Sequence, residues 1–393
     1  NGEIYNWKQL YKTIGVTPKT KSDCEVIIYL YLKYGIKQTL NMLDGVFAFV
    51  LFDKNKNEIF VARDLFGVRP LFIKEVLQYS EHPYLREPIY YIASELKCIS
   101  SFGNNDYIQQ FQPGYFSAFK TDRENTYVKK YTKPFYINNV IPKSFNYNFT
   151  ENDVEKACLS IKETLTNAVL KRIDNTERNV GCLLSGGLDS SLIAALVQKH
   201  SNKQIKTWSI GMEGSEDILY ARKVAKFINS DHHEYILSQK EFLSVIETVI
   251  YNIESYDTTT VRASIGNWLI SQKIKENSDC KVIFNGDGSD EVCGGYMYFH
   301  LAPDAVEFDK ECKRLLSDIH YFDVLRSDRS ISSHGLEART PFLDRAFVEN
   351  YLSINLNIRH HALNNKCEKY LLRKAFSKDK LLPDEVLWRT KEA

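Results

Sequence analysis

A chain of 393 residues, 44% hydrophobic and 26% charged, has the composition of an ordinary globular protein and is long enough for two cores. The formal net charge of +1 removes the electrostatic reason to expect nucleic acid or an acidic membrane as a partner. No apolar run approaches the length that spans a bilayer, and no signal-peptide pattern opens the chain.

Eight cysteines are scattered from Cys24 to Cys367 without a C-x-x-C pair. That spacing offers neither a zinc site nor a disulfide framework, and it fits reduced thiols in a cytoplasmic protein. His232-His233 lacks metal-ligand spacing and reads as structural. The chain opens on Asn1 and stops at Ala393 without a terminating pattern, so it reads as a piece of something longer.

Residues 24–34 (CEVIIYLYLKY) have helical length and an apolar stripe. Short aromatic and β-branched runs at 45–52, 58–62, 71–73 and 90–93 read as strands. Strands in succession with few helices predict an α+β sandwich for this first part. The polar stretch 133–150, with Pro134 and Pro142, is a linker signal. The chain is accordingly divided into a domain at 1–134, a linker at 135–152 and a second domain at 153–393.

Beyond the linker the pattern changes. Val154, Cys158, Ile161, Leu165 and Val169 share one helical face. The run 180–184 (VGCLL) has the continuous apolarity of a buried parallel strand, and an apolar helix follows at 191–200. Residues 206–210 and 281–284 repeat the strand theme, with helices expected near 221–227, 241–253 and 262–275. This alternation predicts an α/β domain with a parallel sheet flanked by helices.

Two motifs carry chemistry. Ser185-Gly186-Gly187-Leu188-Asp189-Ser190-Ser191 stands between a strand and a helix. Its glycines let backbone N–H groups approach an anion, and the helix N-terminus adds favourable charge. It lacks the Gly-Lys-Ser/Thr ending of a Walker loop, and its carboxylate suits magnesium-bound pyrophosphate as a leaving group. Asn285-Gly286-Asp287-Gly288-Ser289-Asp290-Glu291 follows another buried strand and precedes Gly294-Gly295-Tyr296. Its spacing does not fit an EF-hand, whereas one or two carboxylates at a sheet edge suit magnesium with phosphate oxygens. Ser209-Ile210-Gly211-Met212 is a weaker strand-end signal, and 334–344 (HGLEARTPFLD) is equally readable as a buried ion-pair network.

The SGGLDSS loop resembles the ATP-pyrophosphatase family. Together with SIGM, GDGSDE, 256–264 (YDTTTVRAS) and HGLEARTPFLD, it is similar to the glutamine-hydrolysing asparagine synthetases. Asn1 to Asn6, Ser22 to Glu25, Leu43-Asp44-Gly45 and 62–71 resemble that family's N-terminal glutaminase domain. The resemblance implies an incomplete Ntn-type αββα sandwich followed by an adenine nucleotide α-hydrolase-like domain. It implies a ligase that adenylylates the β-carboxylate of aspartate with ATP and Mg2+, then aminates it with ammonia, free or drawn from glutamine.

Residue by residue, the resemblance implies that ATP meets Leu184, Ser185, Gly186, Gly187, Asp189, Ser190, Ile210, Asn285 and Gly286, with Mg2+ on Asp189 and Asp290. Thr259, Thr260 and Arg262 are implied near aspartate and pyrophosphate. Asp287 and Lys391 are implied in catalysis, and Asn1, Gly2, Glu3 and Asp23 in glutamine binding. A homodimer is an expected assembly.

Two departures stand out. The family usually has Ser-Gly-Glu where this chain has Asn285-Gly286-Asp287; the shorter acid predicts reduced synthetase activity unless the backbone compensates, and an Asp287→Glu variant no slower than the parent. The family's nucleophilic N-terminal cysteine has no counterpart here, since the first cysteine is Cys24, which reads as a core thiol. The chain as written is therefore expected to be ammonia-dependent. A β-lactam-synthetase-like ligase and a non-catalytic nucleotide-binding protein are the alternatives.

Overall fold

The computed structural model describes residues 1–79, 86–102, 107–121, 126–137 and 140–390. Its contacts divide the chain into two units, Asn1–Asn138 and Asn139–Ala393. Among the described residues no helix is long and apolar enough to cross a membrane.

The first unit contains strands β1 (Gly2–Ile4), β2 (Gly45–Asp53), β3 (Glu58–Arg63), β4 (Phe72–Tyr79), β5 (Arg86–Ala93), β6 (Ile108–Gln110), β7 (Tyr115–Thr121) and β8 (Tyr127–Pro134), with helices α1 (Trp7–Ile14) and α2 (Val26–Met42). One antiparallel sheet runs β1-β2-β3-β7-β8 and a second runs β5-β4-β6. The two-residue alternation of strands decides the layers. Phe47, Phe60, Ala62, Phe116 and Ala118 turn to the helices, where they meet Leu10, Leu30 and Leu40. Ala48, Val61 and Phe119 turn the other way, onto Leu71 and Phe111 of the second sheet's side. The result is a helix–sheet–sheet stack, the α+β sandwich expected from the strand succession.

The second unit opens on α3 (Glu151–Asp174), whose N-terminus is closed by a Thr150–Asp153 capping box. All five residues of its expected apolar face are buried. There follow β9 (Val180–Leu183), α4 (Leu188–His200), β10 (Lys206–Gly211), α5 (Glu216–Ile228), β11 (Asp231–Ile236), α6 (Gln239–Ser244), α7 (Ile246–Ile253), α8 (Thr258–Asn277), β12 (Val282–Phe284), α9 (Ser289–Cys293), α10 (Ala305–Asp318), α11 (Asp323–Ser332), β13 (Glu337–Arg339), α12 (Arg345–Ser353), α13 (Leu356–Arg359) and α14 (Tyr370–Ser377). The single helix expected at 241–253 is two, broken where Val245 leaves helical geometry at φ −102° and ψ 1°.

The five strands are parallel in the order β11-β10-β9-β12-β13. Ile270 and Ile274 of α8 and Ile331 of α11 cover one face, packing on Trp208 and Ile283. From β9 the chain builds outward through β10 and β11, then returns to place β12 on the other side of β9. The β9–β12 junction is thus the point where strand order reverses, and ligands bind beyond the carboxyl ends of strands at such points.

Candidate active site

Both chemistry-bearing motifs leave the sheet at that junction. Residues 184–187 connect β9 to α4, with Gly187 as the N-cap of α4. The loop is closed on itself: the Ser185 amide donates to Ser190 Oγ at 3.1 Å, and the two hydroxyl oxygens are 2.8 Å apart. Gly186 has φ +80°, and a Cβ there would lie 2.5 Å from the Asp217 carbonyl oxygen, so only glycine fits against the start of α5.

Residues 285–288 connect β12 to α9. Ser289 Oγ donates to Asp189 Oδ1 at 2.8 Å, tying the two loops together. Between them stands Lys369, which belongs to neither motif. Lys369 Nζ lies 2.5 Å from Asp189 Oδ2 and 2.7 Å from Asp290 Oδ1, with its side chain 3% exposed. Burial works against that ammonium, but Asp189 and Asp290 outweigh it and hold its pKa above the ordinary lysine value. A Cβ on Gly295 would fall 2.0 Å from both Asp290 Oδ1 and Lys369 Cε, which explains the glycine at that position.

Two adjoining pockets share Ser185, Asp189 and Asp290. The first, of about 410 Å³, is lined also by Gly187, Lys369, Arg373 and Arg389. Arg373 pairs with Glu368, and Arg389 lies 3.9 Å from the ring centroid of Tyr220 and 3.0 Å from Asp217. Loop glycines, a helix N-terminus and three cations line it together with Asp189, Glu216, Asp217, Asp290 and Glu368, the acids with which those cations pair.

The second pocket, of about 490 Å³, is lined by Thr259, Thr260, Asn285, Gly286, Asp287, Glu291, Tyr296, Asp323 and Arg326 among others. Burial, then the nearby Asp323 charge, pushes the Asp287 carboxyl up to about 7. Burial likewise raises Glu291 and Asp323 above the usual carboxylate range. Tyr296 donates to Glu291 Oε1 at 2.6 Å, and Arg326 pairs with Asp323. A buried carboxyl raised toward neutrality near the Arg326 guanidinium can hold or release a proton.

Among the described residues no group of three or more His, Cys, Asp or Glu is placed to hold a metal ion, so Asp189 and Asp290, which both bond the Lys369 ammonium, could supply only part of a Mg2+ shell. Both present carboxylate oxygens to one cation in the structure, and a hard dication bound to phosphate oxygens needs only one or two such ligands.

The remaining expected residues are distributed as follows. Leu184 is buried and Ile210 half-buried at adjacent strand ends, but Leu183 is the side chain of that group that lines the second pocket. Thr260 gives both its amide and its hydroxyl to Asp257, each at 2.8 Å. Arg262 is exposed on α8 and lines neither pocket. Lys391 lies outside the described residues. In the first unit, the Ile4 amide donates to Asp23 Oδ2 at 2.5 Å, joining Asp23 to the strand that carries Gly2 and Glu3; Asn1 is exposed beside them. Cys24 is half-buried against the helix layer, and burial, then Asp23, pushes its thiol up to about 12. Such a thiol is a poor nucleophile at neutral pH. The HGLEARTPFLD segment is an ion-pair network: Asp344 lies 2.7 Å from Arg172 and 2.6 Å from Lys171, and Arg339 lies 2.7 Å from Glu337.

Residues 160–307 and 302–393 match the asparagine synthase family model, and residues 1–132 match the glutamine amidotransferase domain. The whole chain aligns with 70% of the glutamine-hydrolysing asparagine synthetase of Gallus gallus at 43% identity, and with 70% of those of Mus musculus and Homo sapiens at 41% and 40%. The chain belongs to the asparagine synthetase family. A solved NH3-dependent NAD synthetase from Campylobacter jejuni is 17% identical over 42% of this chain and 72% of its own, with a TM-score of 0.23. That likeness is too distant to bear on the fold.

Lys369, Asp323 and Arg326 were not legible as site residues from sequence. The available signal for Lys369 was the run 367–373 (CEKYLLR), in which two charged residues immediately precede the apolar start of α14.

Proposed function

We propose that the chain makes asparagine from aspartate, ATP and ammonia, the ammonia being free or derived from glutamine. The observation that carries this reading is the convergence of the Ser185–Ser190 loop, Asp290 and Lys369 at the sheet's switch point, in a member of the asparagine synthetase family. The adenine lies against Leu184, Ile210 and the Asn285-Gly286 backbone, and the phosphates lie over Ser185, Gly186, Gly187 and Ser190. A β-carboxylate oxygen of aspartate bonds to the α-phosphorus as the bond to the bridging oxygen breaks, giving β-aspartyl-AMP and pyrophosphate. The ammonia nitrogen then bonds to the β-carbonyl carbon and loses a proton to solvent, and AMP leaves with the C–O electron pair.

Catalysis is mostly placement and charge compensation. Asp189 and Asp290 would hold Mg2+, which when bound neutralises charge on the leaving pyrophosphate. Lys369, Arg373 and Arg389 receive the same phosphate charge from the protein side, and Lys391 is assigned a similar role. Asp287 faces the reacting carboxyl, while Thr259 and Thr260 border the aspartate site. In the first unit Asn1, Gly2, Glu3 and Asp23 are assigned to glutamine. The amidotransferase region is placed at 1–134, the linker at 135–152 and the synthetase region at 153–393. The eight free cysteines support a cytoplasmic setting.

The test is pyrophosphate release with ammonium chloride as nitrogen donor. One pyrophosphate and one AMP per asparagine, dependent on aspartate and lost in Asp189→Asn and Asp290→Asn, is the expected result. Release of ADP and orthophosphate would overturn it.

A further inference from the structure

We propose that Asn285 is a positioning residue that fixes the Asp287 carboxylate in the acceptor pocket; this rests on the asparagine-forming reading of that pocket. Asn285 is 4% exposed, and its amide nitrogen donates to Asp287 Oδ2 at 2.6 Å and to Ser327 Oγ at 2.7 Å. The Asp287 amide donates back to Asn285 Oδ1 at 3.4 Å. Both N–H bonds of the carboxamide are therefore used, one on the acid and one on α11. The side chain is a strut from α11 to the acid.

The backbone cannot do this work. The Asn285 amide donates to the Arg339 carbonyl at 3.1 Å, fixing the start of the turn. Gly286 is pressed on the start of α4, where a Cβ would lie 2.8 Å from the Asp189 Cβ and from the Ser190 amide nitrogen. Gly288 is pressed on Leu343, where a Cβ would lie 2.5 Å from the Leu343 Cγ, and it has φ +87°. The turn is held on both flanks, so a shorter acid cannot be carried toward the pocket by a shift of main chain. Only a side chain remains to place it. A serine at 285 keeps one hydroxyl and loses the reach to join Asp287 to Ser327.

Asn285 and Asp287 are thereby one device: the carboxamide at 285 places the acid at 287. Coupling between contacting residues is measured by a double-mutant cycle. Asn285→Ser, Asp287→Glu and the double variant are compared with the parent in ammonia-dependent, aspartate-dependent pyrophosphate release, resolving kcat from the KM for ATP. Asn285→Ser is expected to lower kcat about 10- to 100-fold, the scale of an ångström misplacement, with the KM for ATP within about twofold. The double variant is expected to exceed the product of the single effects by at least about tenfold.

Should Asn285→Ser not fold, Ser327→Ala frees the other end of the strut and is expected to lower kcat about three- to tenfold at constant KM. Additive effects in the cycle, or Ser327→Ala at the parent kcat where the cycle cannot be made, would overturn the proposal while leaving the asparagine-forming reading intact. A parent without aspartate-dependent release would remove both.

Discussion

The Lys369 ammonium donates to Asp189 Oδ2 at 2.5 Å across a sequence separation of 180 residues. Its second acid, Asp290, comes from the first turn of α9, so a single cation joins α4 to α9 at the wall of the first pocket. Removing it leaves two carboxylates facing each other. Replacing one partner of a buried ionic group costs about 3–5 kcal/mol when the remaining charge is uncompensated. Lys369→Met is expected to abolish aspartate-dependent pyrophosphate release. It is also expected to strengthen Mg2+ binding in the absence of nucleotide, measured by isothermal titration, because the competing ammonium is gone.

Gly295→Ala tests the same contact from the other side. Its methyl would enter the space of Asp290 Oδ1 and Lys369 Cε. Release of pyrophosphate is expected to fall by about a hundredfold or more, the scale of displaced catalytic groups. Gly335→Ala is the control: it has φ +70° with nothing within 4 Å of the new Cβ, so about 1 kcal/mol of backbone strain is expected, with activity retained. Denaturant unfolding and the release assay separate the two.

Asp287 ties activity to pH. Its folded pKa, about 7, lies above the carboxylate reference of 3.8, so the folded state binds the proton more tightly than the unfolded state. The stability associated with the protonated acid is therefore full below pH 3.8 and is lost as pH rises through about 7. Asp287→Asn is expected to raise Tm at pH 8 by a few degrees and to leave Tm near pH 4 little changed. Synthesis by the parent is expected to decline below about pH 7, as the acid protonates, and Asp287→Asn is expected to lose about a hundredfold in kcat. A Tm gain without an activity loss would contradict the placement of Asp287.

Asp344 has the opposite sign. Burial works against its charge, but Arg172 and Lys171 hold its pKa below the usual carboxylate range. Its stability contribution is present above the unfolded carboxylate value and is lost as pH falls through the lower folded one. Arg172→Met is expected to destabilise the second unit by about 3–5 kcal/mol in denaturant unfolding, without changing the KM for ATP.

The parts of the site that the sequence exposed are those whose chemistry is local. The SGGLDSS and NGDGSDE loops follow apolar runs that became β9 and β12, and their glycines and acids act within a few residues of each other. Lys369 was hidden because its partners are far along the chain and its own backbone is left-handed, at φ 54°, which helical periodicity does not encode. Asp323 and Arg326 were hidden for a related reason, since a buried pair on α11 reads as a polar surface turn until the packing of that helix is known. Strand β11 escaped notice because DHHEYI has no apolar run; it is an edge strand, bonded on one side only. Strand β13 (EAR) is likewise polar, and Arg339 is buried only because Glu337 and its neighbours satisfy it.

The most direct test of carboxylate adenylylation uses aspartate labelled with 18O in the β-carboxylate. During synthesis with ammonium, one labelled oxygen is expected in the phosphate of AMP, seen as an isotope-shifted 31P resonance, with the other retained in the asparagine amide. Label in orthophosphate, or AMP without label, would contradict adenylyl transfer at the Asp189–Lys369–Asp290 site.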